Sequence, residues 1–173
     1  MENQFYKFLK SREGIKFTTP SDSDIEKMNT LAANKLPETF LDVYTKSVPK
    51  QDVEYKDFIF YGISRIIEEN TQYIPGANLL PFGLFTFAST FDGDSICFDT
   101  NSPSFPVFQC SHSLLSGEDD IFWYKEGMHT LPFNYENVLK SAPKLADSFD
   151  DFVLKLLSGK VRTFSVTDMI DKL

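Results

Sequence analysis

The residues with the most chemical potential gather around one turn. Asp92, Asp94 and Asp99 fall in Phe91-Asp92-Gly93-Asp94-Ser95-Ile96-Cys97-Phe98-Asp99. Carboxylates so spaced suggest calcium, yet the regular oxygen ligands and closing glutamate of a calcium loop are missing. A general acid–base pair would need burial or mutual repulsion to raise one pKa. The plain alternative is a solvated hairpin turn in which Asp-Gly supplies the positive φ. A second acid cluster, Glu118-Asp119-Asp120, likewise reads as a solvated loop. His112 stands beside Ser111 and Ser113, but no glycine-flanked nucleophile serine accompanies it. His112 and His129 are not spaced as a metal pair, and there is no Cys-x-x-Cys. Neither a phosphate-cradling loop nor a dinucleotide fingerprint is present. The expectation is no catalysis, no metal and no cofactor.

The element that must carry the aspartates is a sheet. Phe82, Leu84, Phe85 and Phe87 precede the turn, and Ile96 and Phe98 alternate with polar residues after it, a period of two that predicts a sheet with one face buried. A third apolar run, Phe105 to Cys110, completes a meander. Before it, Gln4 to Lys10 reads as a short helix. Asp24 to Ala33 reads as an amphipathic helix, with Ser21 and Ser23 as offered caps and Ser23/Glu26 at capping-box spacing. Another helix starts at Leu36-Pro37, where proline is tolerated. Asp57 to Tyr61 is a short strand, and Ser64 offers a cap to the helix after it.

Downstream, Ser111 to Asp120 reads as a polar loop and Ile121 to Tyr124 as a strand. Lys125 to Lys144 reads mostly as connection, with a helical turn at Glu136 to Lys140. Leu145, Phe149, Phe152, Val153, Leu156 and Leu157 form one helical stripe, capped by Ser148 and stopped by Gly159. A short helix after Ser165 closes the chain. Without repeat or linker, residues 1–173 read as one α+β domain, a curved, mostly antiparallel sheet packed against several helices.

Composition narrows the partners. A net charge of −8 in 173 residues disfavours nucleic acid and anionic membranes and favours a basic partner. The 18 phenylalanines argue for a substantial core. No apolar run is long enough for a membrane span, and the first residues carry no secretory pattern, so the cytoplasm is the expected compartment. Cys97 and Cys110, both in predicted strands, fit buried small hydrophobes of a reducing compartment better than a disulfide, though neighbouring strands would bring them close. Taken alone, composition and spacing stop at an acidic α+β domain with no evident active site.

The order of the motifs says more. Leu36-Pro37-Glu38-Thr39-Phe40 after an amphipathic helix resembles the Leu-Pro-x-x-Tyr/Phe start of SUKH superfamily domains. Leu80-Pro81-Phe82-Gly83 followed by Phe91 to Asp99 is similar to that family's "pfg … dGd … ycfD" stretch. Pro106-Val107-Phe108-Gln109 with His112 resembles its next strand, and Leu145 to Phe152 its closing helix. The resemblance covers roughly residues 21 to 158. It departs at Thr45 to Pro49, where a Gly-Asn-Gly type loop is usual, and segment 117 to 144 is long for the family.

The superfamily comprises bacterial immunity proteins and fungal cell-wall-synthesis regulators. The resemblance implies a non-catalytic domain that binds and neutralises a cognate toxin, frequently a nuclease. A nuclease attracts phosphate with Lys and Arg, so the expected partner is basic and the expected contacts are Asp92, Asp94, Asp99, Glu118, Asp119 and Asp120. Trp123 and Tyr124 are expected as aromatic anchors. A monomer is the default. The alternative of another class is an intracellular scaffold or regulatory module, as fungal members suggest; an enzyme using Asp92, Asp94 and Asp99 is a third.

Overall fold

Local capping chemistry starts most of the helices. The computed structural model describes residues 3–117 and 119–173. In chain order the elements are α1 (Gln4–Lys10), β1 (Phe17–Thr18), α2 (Asp22–Leu31), α3 (Glu38–Lys46), β2 (Val48–Pro49), β3 (Val53–Tyr55), β4 (Phe58–Phe60), α4 (Ile63–Thr71) and α5 (Gly76–Leu79). There follow β5 (Leu84–Thr90), β6 (Ser95–Asp99), β7 (Val107–Cys110), β8 (Asp120–Tyr124), β9 (Met128–Pro132), α6 (Tyr135–Ser141), β10 (Lys144–Ala146), α7 (Phe149–Leu157) and α8 (Val166–Ile170). The Ser148 hydroxyl accepts from the Asp151 N–H at the start of α7, and Ser165 forms a capping box with Asp168 at α8.

Two helix starts differ from the sequence reading. Of the two caps offered at α2, Ser21 is the one used, its hydroxyl accepting from the Asp24 N–H at 3.1 Å, and Ser23 is not; the backbone is still extended at Ser21, so the helix begins two residues earlier. At α4, Gly62 occupies the N-cap position and Ser64 already lies inside the helix.

The fold is α+β. Its main sheet has the order β10-β7-β6-β5-β4-β3, every neighbouring pair antiparallel, so β3 to β7 form a continuous meander. The expectation of one buried face is corrected here: every residue of β5, β6 and β7 is buried. The alternation separates two different covers. On one face Phe85, Phe87 and Phe98 pack with Phe5, Phe40 and Phe149 from α1, α3 and α7. On the other, Leu84, Cys97, Phe108 and Cys110 pack with Ile121 of β8 and Val138 of α6.

Cys97 and Cys110 are both free and buried in that second layer. They sit diagonally across β6 and β7, since Cys110 pairs with Ser95 and Cys97 with Phe108. Hydrogen bonding to Cys97, then burial, pushes the Cys110 thiol well above its usual range.

One helix side chain completes the ladder. β4 pairs with β5 only as far as Phe60 opposite Ala88, and β5 bulges between Thr86 and Ala88. At Thr86 the side chain of Asn70, on α4, takes the place of the missing strand. Its Nδ2 donates to the Thr86 carbonyl at 2.7 Å, and its Oδ1 accepts the Thr86 N–H at 2.9 Å. Gly76 lets the next turn close over this contact, because a Cβ there would fall 2.3 Å from the Glu69 carbonyl oxygen.

Candidate partner-binding surface

Segment 125 to 144, read as connection, contains a strand. β9 pairs with β8 as a separate antiparallel ribbon: Asp120 faces Pro132, Ile121 Leu131, Phe122 Thr130, Trp123 His129, and Tyr124 Met128. Residues 125–127 make the turn, with Glu126 at φ 55° and Gly127 at φ 143°. Alternation then sorts the side chains. Ile121 is fully buried and Trp123 and Leu131 are half-buried against the second core layer. The opposite face presents Phe122 at 43% exposure, Tyr124 at 79% and Met128 at 69%.

The ribbon is held at both ends. At its turn, Lys125 Nζ donates to Asp171 Oδ1 at 2.9 Å, tying it to the end of α8. At its foot, Asn137 Nδ2 donates to the Pro132 carbonyl at 2.9 Å. Between them the Trp123 and His129 rings stack with centroids 5.5 Å apart. These contacts orient the ribbon without covering its outer face.

The expected site residues separate into three groups. Asp119 and Asp120 are exposed at the start of β8, and with Trp123 and Tyr124 they belong to the ribbon. Asp92 is also exposed, but on the β5–β6 turn. Glu118 lies outside the described residues. Asp94 and Asp99 are interior groups, 6% and 3% exposed, and their carboxylates are engaged within the chain. The sequence reading missed Phe122 and Met128; Glu126-Gly127 between two short runs was the turn signal that would have found them.

Asp94 works as a clamp. Its Oδ2 accepts from Gln109 Nε2 at 2.8 Å, while Oδ1 accepts from the His112 N–H at 3.0 Å and stands 2.9 Å from His112 Nδ1. Gln109 also exchanges two 2.8 Å bonds with the backbone of Phe164, so the same network seats the C-terminal segment on the sheet. Ser113 Oγ lies 3.3 Å from His112 Nε2, which sets Asp94, His112 and Ser113 in the order of an acyl-transfer relay. The bonds of Asp94 and Gln109 nonetheless fasten loop and tail to the β5–β6 hairpin, which is a structural role.

Asp99 joins the sheet to α6. Its Oδ2 accepts the Tyr135 hydroxyl at 2.6 Å and its Oδ1 the Asn101 N–H at 2.9 Å. Burial first, and then the Asp99 carboxylate, push the Tyr135 hydroxyl from 10.0 up to about 12. The unfolded chain therefore loses this proton from about pH 10 while the folded chain keeps it to about 12. Stability from this bond is whole below that window and is lost as pH rises through it. Tyr135→Phe is expected to lower the unfolding free energy by about 1–2 kcal/mol at neutral pH. It should also flatten the alkaline decline, as read from urea midpoints at about pH 9 and about pH 11.

Among the described residues, no three His, Cys, Asp or Glu side chains converge to hold a metal ion, and no helix is long and apolar enough to cross a membrane. An open cleft of about 510 Å³ lies between the β1–β2 pair and the starts of α2 and α4. Asp24, Asp52 and Glu68 face Lys50 and Arg65 there, so its charge is mixed.

The model of the SMI1 / KNR4 family (SUKH-1) matches residues 19–155, from just after β1 into α7. No curated protein and no solved structure matches the chain.

Proposed function

Since the chain belongs to the SMI1 / KNR4 family (SUKH-1), we propose that it is an immunity protein, which neutralises a cognate toxin domain by binding it and converts no substrate. The observation that carries this reading is the ribbon. Phe122, Tyr124 and Met128 are presented to solvent with Asp119 and Asp120 at their foot, on a chain of net charge −8. Exposed aromatics beside carboxylates suit a protein contact with a cationic surface, such as the phosphate-binding face of a nuclease. Neutralisation takes place in the cytoplasm, one chain per toxin, with Asp92 adding to the acidic rim.

The test is binding to the toxin domain encoded beside this chain. Wild type is expected to form a one-to-one complex whose association slows as salt rises toward about 0.5 M. Asp119→Ala with Asp120→Ala should reduce the association rate constant about 3- to 10-fold at low salt. An unaltered rate constant in the double variant would remove these carboxylates from the contact. No complex with that domain would count against the immunity role itself.

A further inference from the structure

The ribbon has more to offer than its outer face. Two bonds fix its hydrogen-bond phase: the Phe133 N–H donates to the Asp119 carbonyl, and the Lys125 N–H to that of Gly127. In an antiparallel pair narrow and wide pairs alternate. Pairs 121/131 and 123/129 are therefore the bonded ones, and the N–H and C=O groups of 120, 122, 124, 128 and 130, with the C=O of Pro132, point away from the partner strand. Among the described residues, no strand pairs with either outer edge.

The two edges are not equivalent. On the β8 side the chain folds back over the first acceptor, since a Cβ on Gly117 would stand 2.6 Å from the Asp120 carbonyl oxygen. On the β9 side Met128, His129 and Thr130 are all exposed. Pro132, having no N–H, ends what that edge can donate. The open edge thus presents the main-chain groups of Met128 and Thr130, beside Phe122 and Tyr124 on the outer face.

Area and charge select the occupant. A five-residue, two-stranded ribbon offers a face of about 17 by 10 Å, far below the roughly 800 Å² per partner of a stable interface. Asp119, Asp120 and Glu126 are exposed on it, while Lys125 is engaged with Asp171. A second copy would set these carboxylates against one another; a cationic segment would neutralise them.

We propose that the β9 edge takes an extended, Lys/Arg-bearing segment of the toxin as a third strand. The segment bonds to the main chain at Met128 and Thr130 and places its cations near Asp119, Asp120 and Glu126. This deepens the immunity reading and rests on it. Main-chain pairing supplies affinity and the outer-face side chains supply selectivity.

Thr130→Pro removes an N–H that β8 does not use, so the test is specific to the edge. The probe is the toxin domain encoded beside this chain, with its own active site disabled. Thr130→Pro is expected to weaken binding about tenfold or more, and by much more than Thr130→Val, which changes the side chain but keeps the N–H. Amide exchange gives a readout that survives any misfolding of the proline variant. In wild type the Met128 and Thr130 amides should exchange fast when free and become protected in the complex. Wild-type binding without that protection, or with full affinity in a folded Thr130→Pro variant, overturns strand addition and leaves the immunity role standing. Absence of any wild-type complex overturns both.

Discussion

Phe40→Ala is expected to lower the unfolding free energy by about 3–5 kcal/mol, the largest effect of any single substitution considered for this chain. Phe40 is 0% exposed, in the first turn of α3, and its ring meets those of Phe5, Tyr44, Phe85, Phe87, Phe98 and Phe149. It therefore joins three helices to the central strands at one point. Truncation forfeits the transfer energy of the ring and leaves a cavity between α3 and the sheet, which neighbours already in close contact fill only partly. Domains of this size hold about 5–15 kcal/mol in all, so the substitution removes about a fifth of the stability at the most favourable end and all of it at the least favourable. Urea unfolding followed by far-ultraviolet dichroism measures the loss. A loss under about 1 kcal/mol would mean that the site collapses freely, contrary to the packing described.

Asn70→Ala is expected to be nearly as damaging, at about 2–4 kcal/mol, through a different mechanism. The residue is 1% exposed and contributes almost no apolar area; what it supplies is pairing for both main-chain groups of Thr86. Without it a buried N–H and a buried C=O lose their partners, and each carries a desolvation penalty of about 1–3 kcal/mol. Asn70→Asp separates the two halves of the contact. A carboxylate still accepts the Thr86 N–H but cannot donate to its carbonyl, so it should also destabilise the fold. Equal stability of Asn70→Ala and wild type in urea would show that water replaces the amide.

Much of this architecture was legible before the coordinates. The Asp92-Gly93 turn, the 81–110 meander, the Ser148 cap and the short helix after Ser165 all follow from local chemistry, and all are present. What escaped depends on contacts distant in sequence. Leu114 and Leu115 look like part of a polar loop, yet they are 2% and 1% exposed because β8 and α6 cover them. Leu145 fits the helical stripe of α7 but belongs to β10, whose pairing with β7 outweighs the pattern. β9 has no alternation of its own to read, being exposed at most positions.

The acidic site was legible in composition and misjudged in depth. Asp94 and Asp99 carry the same side chain as Asp92, and only the tertiary fold makes them interior acceptors for Gln109, His112, Asn101 and Tyr135. Spacing along a hairpin does not distinguish a carboxylate that greets a partner from one that fastens a loop.

Because β5, β6 and β7 are covered on both sides, the ribbon stands on a foundation that does not yield. Recognition then resembles a key meeting a fixed lock plate. In the proposed complex little of the free energy of association would go into reshaping this chain, and the adaptation would fall to the partner.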